Sequence, residues 1–176
     1  LTIVVVDDGS KDPAPYDAVS EEYPTAIFLR RHKNEGKRAG QIVAFEYLKY
    51  KGITTDYLLT VDSDTVLEPN CLIELVTLAL HSGHEAIGAT ILAKPRKGDW
   101  LNYLLRFRYW SANVQERGAQ SLFGQVLCCS GPCVLWKTSE FDAVREAYGN
   151  QMFLGETCSY GDDRHLTNLY LERGGC

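Results

Sequence analysis

The sequence predicts an α/β fold with a mostly parallel central sheet flanked by helices. Two observations carry that expectation. Near-continuous apolar runs recur along the chain ("TIVVV", "TAIFLR", "YLLTV", "EAIGATILA"), and such runs suit strands buried on both faces. Between them lie segments of helical spacing, and strands alternating with helices form a sheet through right-handed crossovers.

Taken in order, "TIVVV" at 2–6 is the first strand, and a weak helical pattern follows from about Pro13 to Tyr23. "TAIFLR" at 25–30 is the second strand. "KRAGQIVAFEYLKY" at 37–50 places Ile42, Phe45 and either Leu48 or Lys49 at helical spacing, and "YLLTV" at 57–61 is the third strand. "EPNCLIELVTLALH" sets Pro69 near a helix start and Leu72, Leu75, Val76 and Ala79 on one stripe. After "EAIGATILA" the rhythm changes. "GDWLNYLLRFRYWSANVQERGAQS" reads as one long amphipathic helix, with Trp100, Leu104, Phe107, Trp110 and Val114 about a turn apart. Its apolar stripe is expected to pack on the domain's own sheet; contact with segments outside this chain is the alternative. A short strand "QVLCC", a Gly-Pro turn, a strand "CVLWK" and two helices complete the pattern, the last ending near Gly174.

The bulk properties narrow the function. The chain has 176 residues, 45% hydrophobic and 23% charged, which suits a single domain with a core of ordinary size. A net charge of -5 argues against a nucleic-acid partner, which would call for a basic face. No run of about 18 apolar residues is present to span a bilayer. The six cysteines, three of them crowded into "CCSGPC", fit neither a disulfide framework nor a paired zinc site, so reduced thiols are expected. The chain opens at Leu1 inside an apolar run and stops at "RGGC", which reads as a fragment of a longer protein.

Three carboxylate pairs mark the chemistry: Asp7 with Asp8, Asp62 with Asp64, and Asp162 with Asp163. The first two follow apolar strands, and in an open α/β sheet ligands bind beyond the carboxyl ends of the strands. In a strand, residues i and i+2 point the same way, so Asp62 and Asp64 are expected to converge on one ligand. Hard divalent cations take oxygen ligands, and Mg²⁺ is typically held by one or two carboxylates together with substrate phosphates. A metal-diphosphate complex would therefore relieve the repulsion within that pair. The local basic run "LRRHKNEGKR" supplies Lys37 and Arg38 at a helix start, a setting that suits phosphate; a solvated charged loop is the plainer explanation. Asp162 and Asp163 at a helix start are either favourable N-terminal charges or the location of a general base.

With these pieces in order, the chain resembles the family 2 inverting glycosyltransferases. Within that family it is similar to the membrane-embedded synthases of hyaluronan and of chitin oligosaccharides. The resemblance rests on "VVVDDGS", "NEGKRAGQ", "LLTVDSDT", "RYWSANVQERGAQS", "CCSGPC" and "GDDRHLTN", in that order and over almost the whole length. It implies a GT-A-like, Rossmann-type sandwich, here one catalytic-domain fragment over 1–176. The nucleotide-binding part would span about 1–95 and the acceptor and base part about 96–176.

The resemblance also implies residue roles. Asp7, with Asp8 in support, would contact the uridine of a UDP-sugar donor, and Lys37 and Arg38 would lie near its diphosphate or ribose. Asp62 and Asp64 would frame Mg²⁺ or Mn²⁺, Asp64 as the direct ligand. Asp163 would be the catalytic base, shaped by Asp162 and Arg164, and Ser130, Gly131 and Pro132 would lie near the glycan acceptor. Asp7, Asp62, Asp64 and Asp163 are expected to converge on one open cleft. The family's first strand and its Q-x-x-R-W motif lie outside this sequence, as do the membrane helices. The parent is thus expected to be an integral membrane protein with this domain on the cytoplasmic side. N-acetylglucosamine is the expected donor sugar, with hyaluronan-type and chitin-type products both open. A truncated, non-catalytic UDP-sugar-binding module and a Mg²⁺-dependent phosphoryl-transfer enzyme are the competing classes, the latter lacking a G-K-[ST] loop.

Overall fold

A computed structural model describes residues 1–158 and 160–174. The chain forms two compact units, Leu1–Thr55 with Arg145–Tyr160, and Asp56–Val144 with Gly161–Cys176.

In the first unit, β1 (Val4–Asp7) and β2 (Ile27–Arg30) pair in parallel, from Val4 beside Ile27 to Asp7 beside Arg30. The crossover between them is α1 (Ala14–Glu22), entered through Pro13, whose fixed φ suits a helix start. α2 (Lys37–Tyr50) has the bounds its periodicity predicts and buries Arg38, Gly40, Phe45 and Leu48. The end of α6 (Thr138–Gly149) also belongs here. Its Arg145 pairs with Glu46 of α2 at 2.7 Å, and Tyr148 donates its hydroxyl to Gln41 at 2.6 Å. A two-residue turn at Leu154 and Gly155, both at positive φ, joins β6 (Met152–Phe153) to β7 (Glu156–Thr157). Positive φ at both centres is the turn geometry that matches strand twist.

In the second unit, β5 (Cys133–Lys137) lies between β3 (Tyr57–Val61) and β4 (Ala86–Gly88), antiparallel to both. The α/β class is as expected, but β5 departs from the mostly parallel sheet. The register gives the reason. Cys133 sits beside Val61, and the Asp62 N–H donates to the Pro132 carbonyl at 3.1 Å. The chain thus enters β5 where β3 ends and has to run back along it.

Residues Cys133 to Trp136 are all buried. Alternate side chains of a strand face opposite sides. Cys133 and Leu135 join Leu75 and Ala79 of α3 (Cys71–Ser82) and Ile87 in one apolar cluster. On the other side, Trp136 meets Tyr170 of α7 (Asp162–Glu172) with ring centroids 5.1 Å apart. Trp136 also donates its indole N–H to Thr60 at 3.0 Å, so its polar atom is satisfied within the core.

Two sequence expectations fail in this unit. "QVLCC" forms no strand, because the backbone of Cys128 and Cys129 bonds to side chains instead of a ladder: Arg117 Nε donates to the Cys128 carbonyl at 2.9 Å, and the Cys129 N–H donates to Thr167 Oγ1 at 3.0 Å. The long helix forms as α4 (Trp100–Trp110), a π-helical stretch (Ser111–Glu116) and α5 (Arg117–Ser121). Asp99 caps it by accepting from the Asn102 N–H at 3.1 Å. Its stripe does not pack on the sheet: α4 buries no residue, and Trp100 and Phe107 are 74% and 60% exposed. Helical spacing predicts a helix but carries no information on what covers it. Among the described residues, no helix is long and apolar enough to cross a membrane.

Candidate active site

β1 delivers Asp7 to the end of the parallel pair. Its carboxylate is 7% exposed, accepts from the Ser10 N–H at 3.0 Å and lies 3.3 Å from Arg30 Nε. Hydrogen bonding from Ser10 lowers its pKa, and Arg30 adds to that against the opposing effect of burial. Gly9 makes the turn possible. It sits at φ 74°, and a Cβ there would lie 2.7 Å from the Asn34 nitrogen, so the 7–10 turn packs directly on the backbone of 33–34.

Asp8 is tied into the protein. Its carboxylate pairs with Arg31 and accepts from the Glu35 and Gly36 N–H groups at 3.1 and 2.6 Å. These amides immediately precede α2, so Asp8 itself is the anion at that helix start. Lys37 is the first residue of α2 and half-buried. Arg38 is 8% exposed, with its guanidinium 4.9 Å over the Tyr148 ring and Nη2 donating to Gln151 at 2.5 Å. Among the described residues, its Nε and Nη1 have no hydrogen-bond partner, an expensive state for a buried cation.

In the second unit the DSD, SGP and GDD segments adjoin. β3 ends at Val61, and Asp62 to Asp64 form a turn closed by the Thr65 N–H donating to the Asp62 carbonyl at 3.0 Å. The strand-face argument for that pair therefore does not apply. Asp62 is half-buried and Asp64 exposed. The Asp62 amide reaches Pro132, and the neighbouring Gly131 N–H donates to Asp163 Oδ2 at 2.8 Å. A Cβ on Gly131 would overlap the Asp163 carboxylate, so the carboxylate rests directly on that turn. Asp162 and Asp163 occupy the first turn of α7, where the helix dipole favours negative charge. Asp162 is half-buried and Arg164 exposed.

The structure thus assembles Asp7 and Asp8 with the start of α2 in one unit. In the other it joins Asp62, Gly131, Pro132 and Asp163. Among the described residues, no three His, Cys, Asp or Glu side chains are grouped so as to hold a metal ion.

Sequence reasoning missed the residues that hold the SGP turn from behind. Ser130 Oγ donates to Asn113 Oδ1 at 3.3 Å, Asn113 also accepts from Arg117 Nη1 at 3.0 Å, and Thr167 bonds Cys129. All lie in motifs visible as "SANVQERG" and "RHLTN", and Thr167 stands one helical turn after Asp163, on the same face. A cavity of about 380 Å³ adjoins them, lined in part by Gly88, Asn113, Arg117, Ser130, Thr167 and Tyr170. Burial pushes the Cys129 thiol up to about 11 and Cys133 to about 12, so neither is a ready nucleophile at neutral pH. The described cysteines form no disulfide; Cys176 lies outside the described residues.

Known proteins are similar to this chain over most or nearly all of its length. The chain is 38% identical over 177 residues to an N-acetylglucosaminyltransferase of Azorhizobium caulinodans, covering 99% of this chain and 43% of that one. It is 39% identical over 180 residues to an N-acetylglucosaminyltransferase of Mesorhizobium japonicum, covering 99% and 41%. It is also 39% identical over 140 residues to human hyaluronan synthase 3, covering 79% and 25%. The chain therefore spans about two-fifths of the length of the bacterial relatives and a quarter of the human one. The profile described as Glycosyl transferase family 2 matches residues 1–144, which includes both acidic turns and the SGP turn. With strands that end in acids and a carboxylate resting on the SGP turn, this chain belongs to glycosyl transferase family 2.

Proposed function

We propose that this chain is the catalytic part of an inverting glycosyltransferase that moves N-acetylglucosamine from a UDP-sugar to a growing glycan. The observation that carries the proposal is the Asp163 carboxylate seated on the Gly131 N–H beside the Asp62 turn. A general base needs a fixed carboxylate within reach of a substrate hydroxyl. In this reading Asp163 accepts the proton of the acceptor hydroxyl as its oxygen attacks the anomeric carbon opposite the UDP. One in-line displacement then inverts configuration. Asp162 and Arg164 shape the base's surroundings, and Ser130, Gly131 and Pro132 border the acceptor. Asp7, Asp8, Lys37 and Arg38 serve the donor; Arg38 would offer its Nε and Nη1 nitrogens, whereas Asp8 acts by shaping the loop before α2.

Family 2 enzymes generally work with a divalent cation. Asp62 and Asp64 fit Mg²⁺ or Mn²⁺ as a pair of hard oxygen donors in a surface turn. Two protein carboxylates are enough where substrate phosphates complete the shell. Such an ion neutralises charge on the departing diphosphate when bound.

Replacing Asp163 by Asn in the full-length protein is expected to lower incorporation from UDP-N-acetylglucosamine by about a thousandfold or more. That is the scale of a lost proton acceptor. Retained transfer would remove Asp163 from the role of base. Supplying each UDP-sugar singly and in pairs separates the products: polymer from UDP-N-acetylglucosamine alone rules out alternating hyaluronan. Resemblance to polymer synthases supports a membrane-embedded parent with this domain on the cytoplasmic side, which protease access in sealed vesicles of each orientation tests.

A further inference from the structure

We infer that Thr167 is a positioning residue for Asp163, joining the base's helix to the turn that seats its carboxylate; this deepens the transferase reading above and rests on it. Thr167 is 2% exposed on α7. Its hydroxyl donates to the Asp163 carbonyl at 2.7 Å, and a bond to the carbonyl four residues back is ordinary for a helical threonine. The second bond is not ordinary: the same oxygen accepts from the Cys129 N–H at 3.0 Å, 38 residues away in sequence.

Cys129 lies two residues before Gly131, whose N–H holds Asp163 Oδ2. One hydroxyl therefore links the backbone of the base to the loop that grips its side chain. The loop is held from its other side by Arg117 on the Cys128 carbonyl and Asn113 beside Ser130. With that side anchored, the Thr167 bridge sets the distance between the SGP turn and the first turn of α7. Gly131 is fixed by the same geometry, because a side chain there would occupy the carboxylate's place. Its role is a carboxylate seat, in addition to the acceptor contact expected of it.

Thr167→Val keeps the shape and removes both bonds, whereas Thr167→Ser keeps the hydroxyl. In the full-length protein, initial rates against UDP-N-acetylglucosamine and calorimetric UDP binding are measured for both variants, for Gly131→Ala and for Asp163→Asn. A misplaced catalytic group costs about tenfold to a hundredfold. Thr167→Val is expected to lose that much in kcat with donor KM and UDP affinity within twofold, and Thr167→Ser is expected to restore kcat to within threefold. Wild-type kcat in Thr167→Val overturns the inference, as does a loss of kcat that Ser fails to restore or that UDP binding follows in parallel. Should Thr167→Val not fold, Gly131→Ala decides: lost kcat with intact UDP binding supports the seat, and unchanged kcat overturns it. Asp163→Asn separates the two levels. If it stays active, the base assignment fails; if it is inactive while Thr167→Val is normal, the bridge alone fails.

Discussion

Two turns of this molecule look alike in sequence and differ in how their charge is met. β1 runs into Asp7-Asp8 and β3 into Asp62-Ser63-Asp64. Around the first, the protein supplies partners: the Ser10 N–H and nearby Arg30 on Asp7, whose Oδ2 makes no hydrogen bond among the described residues, and Arg31 with two backbone amides on Asp8. Around the second, Asp64 is exposed, and among the described residues no hydrogen bond or ion pair involves it. An acid that the protein has already compensated shapes the backbone, and one left facing solvent is available to a cation. The same strand-then-acid pattern thus meets groups of the protein at one place and solvent at the other.

The largest test of that contrast is Asp64→Asn. It is expected to lower transfer by about a hundredfold to a thousandfold, the scale of removing one electrostatic stabiliser of the departing group. The thermal midpoint should stay unchanged, since no internal bond is lost. Steady-state rates across a Mn²⁺ titration, with a melting curve alongside, check it; a destabilised variant would make Asp64 structural like Asp8.

Asp8→Ala should behave in the opposite way. It leaves Arg31 and the Glu35 and Gly36 amides without their shared acceptor, and a hydrogen bond to a charged group is worth about 2 kcal/mol. A urea titration should show its midpoint falling with an unchanged slope. A variant of native stability but without UDP binding would move Asp8 to the donor.

The smallest effect is a pH dependence at Asp7. Its pKa is lower in the folded chain than in the unfolded one, so it stabilises the fold above the ordinary carboxylate value near 4 and loses that contribution as pH falls through the lowered value. Asp7→Asn should therefore be less stable than the parent at pH 6, with the two converging toward pH 2. Parallel curves across that range would mean that Ser10 and Arg30 do not favour the charged form.

Much of the fold was legible because its signals are local. The apolar runs of β1, β2 and β3 and the stripes of α2 and α3 depend on neighbours two to four residues away, and each lies where its pattern places it. "QVLCC" misled because its short apolar run matched a strand, whereas side chains of Arg117 and Thr167 took its backbone groups. The candidate site was legible as motifs but not as contacts. Asp163, Gly131 and Asp62 can be named from the chain, yet the bridge through Thr167 appears when α7 packs behind the SGP turn.

By itself, the sequence determined the alternation of strands and helices, the acids at strand ends and the family to which they point. Hydrophobic periodicity and turn chemistry are short-range, so they survive being read along a line. Tertiary structure decided which acids meet partners, that β5 runs against its neighbours, that α4 buries no residue among those described and that Thr167 joins α7 to the SGP loop. Those outcomes depend on groups 23 to 76 residues apart, such as Arg31 with Asp8, Cys129 with Thr167 and Trp136 with Thr60, and contacts at that separation exist once the core has brought the segments together.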